Sequence, residues 1–143
     1  MPLLNYTTTI APAKTLADMQ AMLVKAGAAQ VMAAYEAGRP TGLTFVIDTA
    51  HGARTFSLPV DPAPVEALLR RDREVPNRYK THDQAERVGW RILKDWLEAQ
   101  LALIATQMVT LDQVMLPYMV VDELGTTVWG RYQLSAGALE LNP

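Results

Sequence analysis

THDQAERVGWRILKDWLEAQLALIATQMV, residues 81–109, is the longest regular stretch in the chain. Ala85, Val88, Ile92, Trp96, Ala99 and Leu103 recur at helical spacing, and Leu93, Leu97, Leu101 and Ile104 widen that line into a broad apolar sector. At 1.5 Å per residue a helix here would run about 40 Å, the width of a small domain. Thr81 or Asp83 is placed to cap it. A neighbouring stripe carries Arg87, Arg91 and Lys94.

The segments before this helix read as strands. Leu43, Phe45 and Ile47 alternate with Thr44, Val46 and Asp48, while Phe56, Leu58 and Val60 alternate with Thr55 and Ser57. Val31, Ala33 and Tyr35 share one face of an earlier strand. Turn residues separate the three: Gly38 to Gly42, then Ala50, His51 and Gly52. Connections this short between alternating strands make an antiparallel meander. One face of that sheet is apolar and needs a cover, and the long helix is the expected one, through Val88, Ile92, Trp96 and Leu103.

Shorter pieces flank this pair. The β-branched residues of positions 3–10 suggest a further strand. Thr15 with Asp18 three residues on suggests a helix start, with Leu16, Met19, Leu23 and Ala26 buried and Gly27 at its end. Asp61-Pro62 starts a short helix through Val65, Leu68 and Leu69. Residues 75–80, VPNRYK, lack periodicity and read as a mobile loop. Thr110 and Gln113 form a capping box for a short helix that Pro117 stops. Beyond Asp122, Thr126 to Val128 suggest a strand and Tyr132 to Leu141 a helix, but the tail is left irregular. The expectation is an α+β fold: an antiparallel sheet of three or four strands packed on one long helix, with shorter flanking helices.

The 143 residues read as a single domain. Half are hydrophobic and a fifth charged, as in globular proteins. The absence of cysteine excludes disulfides, zinc–cysteine sites and thiol nucleophiles, and it suits a reducing cytoplasm. MPLLNYTTTI lacks the pattern of a signal peptide, and no apolar run is long enough to span a membrane.

The net charge of −2 hides a segregation: residues 70–94 hold eight cations against four acids, so this window carries +4 and the remainder −6. Such a window is either a solvated face or the footprint of an anionic partner. Arg70, Arg71, Arg73, Arg78 and Lys80 are candidate phosphate contacts, and Arg87, Arg91 and Lys94 would continue the track along the helix. Tyr79 and Trp90 are candidate stacking faces for unpaired bases, while Trp96 reads as core. Catalytic chemistry is thin. His51 and His82 read as surface residues without metal-ligand partners, and no phosphate loop or nucleophile elbow is present. Asp95 and Glu98 read as ion-pair partners of Arg91 and Lys94, not as an acid–base pair. No cofactor or metal is expected, nor an enzyme.

QAERVGWRILKDWLEAQLALI, followed by MVTLDQVMLPYM, resembles a family of small uncharacterised proteins of phages and prophages. KTLADMQAMLVKAGA, GLTFVID and FSLPV extend the resemblance over about residues 6–120. It implies a cytoplasmic setting in a bacterium or infected host and no particular activity. The order helix, three-strand meander, long helix is also similar to the core of single-strand-annealing recombination proteins, which form rings on single-stranded DNA; this chain is smaller and net negative. The leading expectation is a noncatalytic protein that binds single-stranded DNA in recombination or replication. The alternative is a protein–protein module that self-assembles or modulates a host or phage protein.

Overall fold

The computed structural model describes residues 1–135. Helix α1 spans Pro12–Lys25, and strands β1 (Gln30–Glu36), β2 (Arg39–Thr49) and β3 (Gly52–Leu58) follow. Helix α2 is Pro62–Arg71, the long α3 is His82–Ala105, and α4 (Leu111–Met115) and α5 (Val128–Leu134) close the described chain. The fold is α+β, with a three-stranded antiparallel sheet in the order β1-β2-β3.

Local chemistry sets the boundaries. The Thr81 hydroxyl accepts from the Gln84 N–H and opens α3. Asp61 accepts from the Ala63 N–H ahead of Pro62, and Thr110 and Gln113 cap α4 reciprocally. Helix α1 starts three residues before the expected Thr15, because Pro12 sits in its first turn with its φ already helical. Thr15 and Asp18 do not cap; both face Arg91 of α3. Gly27, at φ +105°, ends the helix in a conformation that side chains rarely adopt.

The inner face of the sheet buries Leu43, Phe45, Ile47, Phe56 and Leu58. Phe45 and Phe56 are directly opposed across β2 and β3, their rings stacked at 5.4 Å. Leu16, Met19 and Leu23 of α1 and Trp90 and Leu97 of α3 complete this core. Helix α1 lies directly against β2 and β1, and α3 packs on α1 and joins the same core through Trp90 and Leu97 with Leu93 and Leu101. Val88 and Ile92 instead belong to a second, smaller core with Leu69 and Val75. The apolar sector of α3 spans more of the helix than one partner can cover, so its parts face different neighbours.

Three local expectations are corrected. Residues 3–10 form no strand, and residues 4–7 are turns. Asn5 takes φ +64°, Thr8 N–H bonds back to Asn5 O, and the Tyr6 and Thr8 carbonyls accept from the Gln84 amide at 2.8 and 2.9 Å. Residues 75–80 are not a bare loop either. Val75 is 2% exposed, Asn77–Tyr79 form a 3-10 turn, and the Tyr79 ring sits edge-on to Tyr6 at 5.5 Å. In the tail, Thr127 makes one bridge to Val120 but its hydroxyl caps α5. Of the helix suggested for Tyr132 to Leu141, Tyr132 to Leu134 belong to α5, and the part from residue 136 on lies outside the described residues.

Candidate functional site

A cleft of about 790 Å³ lies between α3, the β1–β2 hairpin and the connection from β3 into α2. Val60 and Val65 form one wall; Ile92, Leu93 and Trp96 form the other, with Tyr118 alongside. Trp96 and Tyr118 meet edge to face at 5.6 Å. Its polar lining comes from Glu36, Arg39, Asp61, His82 and Glu86.

A chain of charges runs through Arg39, Glu86 and His82 of this lining. Arg39 at the hairpin reaches Glu86 and, at 2.8 Å, Asp83 of α3. The two rings of contact around His82 run to Glu86 from Nε2 and to Glu66 from Nδ1, both at 2.9 Å. Glu66 also accepts from Arg70 at 2.8 Å. The His82 contact, followed by that with Arg70, holds the Glu66 carboxyl below its ordinary value. The network ties sheet, α3 and α2 into one rim. Its signal was in the sequence and was missed: His82 and Glu86 are four apart on one helix, the spacing at which side chains meet. Among the described residues, no group of three or more His, Cys, Asp or Glu is placed to hold a metal ion.

The basic window does not assemble into one track. Arg70 is committed to Glu66, Lys94 to Glu98 at 2.6 Å, and Arg91 to Asp18 at 3.2 Å. Arg91 is 18% exposed and clamps α3 to α1. Arg87 donates to the Gln84 side chain. Trp90, a candidate base-stacking residue, is 1% exposed and lies in the main core. Its position beside the basic stripe concealed that it continues the line of Leu93, Leu97 and Leu101. Trp96, expected in the core, is half-buried and lines the cleft. Tyr79 already contacts Tyr6, edge to face, and the Arg78 guanidinium, 4.7 Å from its centroid. Arg71, Arg73, Arg78 and Lys80 have no carboxylate partner among the described residues; Arg71 ends α2 and the other three lie on the connection from α2 to α3.

Asp95 accepts from Asn5 at 2.7 Å and lies near Lys94, so it fastens the N-terminal turns to α3. Among the described residues, no helix is long and apolar enough to cross a membrane. No family model, curated protein or solved structure gives a significant match to the chain.

Proposed function

We propose that the protein is a noncatalytic protein–protein interaction module, and that the cleft beside α3 receives a segment of its partner. The observation that carries this reading is the cleft itself: about 790 Å³ with apolar walls from three elements and a polar rim. Recognition cavities are commonly apolar, between roughly 300 and 1,000 Å³, with a few placed polar groups. The internal pairing of Arg70, Arg91 and Lys94 and the burial of Trp90 move nucleic acid to second place. The setting proposed with it is a bacterial or phage one, on the resemblance described above.

A random octapeptide display library on the immobilised protein tests this. Peptides bearing Leu, Ile, Phe or Trp are expected to enrich on the parent and not on Thr41→Trp. Thr41 is an exposed β2 residue on the cleft, where a bulky side chain would fill the opening. No enrichment on the parent, with its circular dichroism intact, overturns the reading.

One observation favours single-stranded nucleic acid as the second reading: Arg71 at the end of α2 and Arg73, Arg78 and Lys80 on the connection after it have no acidic partner among the described residues. Four phosphate contacts to a single strand give a log–log salt slope of about −3. Fluorescence anisotropy with labelled oligothymidine at several salt concentrations is expected to show that slope if this surface binds, and the change of all four to alanine to remove it. Binding that ignores salt, or none at low salt, rejects it.

A further inference from the structure

We propose that two copies of the chain pair antiparallel through β1, joining two three-stranded sheets into one of six strands. The two edges of the sheet are treated differently. Beside β3, the Val120 N–H donates to the Thr55 carbonyl at 2.8 Å and Met119 bridges Phe56, so that edge is covered. Strand β1 is the other edge. Among the described residues, no backbone group of Gln30–Glu36 bonds to anything but its ladder with β2. Every second N–H and C=O therefore points outward unpaired, a template for another strand.

Edge strands that must stay single carry lysine, proline or a bulge. QVMAAYE has no lysine, arginine or proline. The irregularity near Ala34 and Tyr35 places the extra residue, Thr41, on β2, leaving β1 continuous. Met32 is 46% exposed and Tyr35 60%, large apolar surface on an open edge.

The strand is complementary to itself. A twofold axis through Ala33 sets Met32 opposite Ala34 of the partner subunit, Val31 opposite Tyr35 of the partner subunit, and Gln30 opposite Glu36 of the partner subunit. Apolar residues then meet apolar ones, an aromatic meets a β-branched residue, and the one charge meets an amide. Parallel pairing would instead place the two Glu36 carboxylates side by side. The occupant argued from this pattern is a second copy, with an interface that closes on itself.

Light scattering on a sizing column tests the stoichiometry, and a cysteine scan the register. The parent is expected to have the mass of two chains. Met32→Lys with Ala34→Lys faces lysine with lysine on the exposed side of β1 and is expected to run as one chain with unchanged circular dichroism. The chain has no cysteine of its own. Ala33→Cys brings two thiols opposite each other at the twofold axis, with Cα atoms about 4.5–5.5 Å apart, within disulfide reach. Mild oxidation is expected to cross-link it. Gln30→Cys, whose mate lies about 20 Å along the strand, is expected to stay uncross-linked. A parent that remains a single chain at millimolar concentration overturns the proposal. A dimer that survives the two lysines, or cross-links at Gln30→Cys but not at Ala33→Cys, uses another surface and overturns it too.

Discussion

Trp90 and Trp96 stand six residues apart on one helix and exchange the roles that their spacing suggests. Trp90 fills the core between sheet and α1, whereas Trp96 stays half-open on the cleft against Tyr118. Trp90→Ala is expected to cost about 3–5 kcal/mol, the range for a large buried aromatic. Trp96→Ala keeps part of its solvent contact and is expected to cost about 1–2 kcal/mol. Urea unfolding of both variants decides the order, and a larger loss at Trp96 would reverse the assignment of core and cleft. Arg91 shows the same limit of pattern reading. As a number on a basic stripe it resembles Arg87, yet it reaches across to Asp18 and the buried Thr15. Arg91→Ala is expected to destabilise by about 1–3 kcal/mol, because it strips a charged partner from α1, while Arg87→Ala is close to neutral. Lys14, first, and then Arg91 hold the Asp18 carboxyl below its ordinary 3.8. Its contribution to stability is present above that value and lost as pH falls through the lowered one. Melting temperatures should therefore drop below about pH 4, and less steeply in Asp18→Asn.

The elements divide by how local their signals are. The three strands, the long helix and the caps at Thr81, Asp61 and Thr110 were legible because alternation, 3.6-residue spacing and capping pairs act over a few residues. Residues 3–10 were not, because their turns are fixed by Gln84, far along the chain. The turn at Asn77–Tyr79 was not legible for the same reason: the anchors of its segment are Val75 in the second core and Tyr79 against Tyr6. The cleft was illegible as a whole, since it is bounded by three elements distant in sequence; only the His82–Glu86 spacing on its rim was there to be read. Gln84 is the testable hinge of this argument. Gln84→Ala removes both donors to the Tyr6 and Thr8 carbonyls and is expected to raise amide exchange and proteolysis across residues 3–10 while leaving the β2 amides protected. Equal protection in variant and parent would show that Tyr6 and Asn5 hold the segment alone.

The two cores share α3 but are unequal in size. The main core joins the sheet, α1 and the sheet-facing side of α3. The smaller one, built on Leu69, Val75, Ala85 and Val88, fastens α2 and the following connection to the opposite side of α3. A cluster with few buried side chains opens at lower free energy than the core it leans on. Hydrogen exchange is therefore expected to show α2 and residues 72–80 opening as a unit, ahead of β2 and the centre of α3. Leu69→Ala should speed exchange there by lowering the opening free energy, with little change at β2. The cleft lies along the seam between these units: Val65 comes from α2, while Leu93 packs against the main core. A segment bound in the cleft touches both sides of the seam, so it should slow exchange in α2 more than in the sheet. Uniform protection across α2 and β2 in the free protein would mean that the two cores open together, and that occupancy of the cleft has no weaker side to brace.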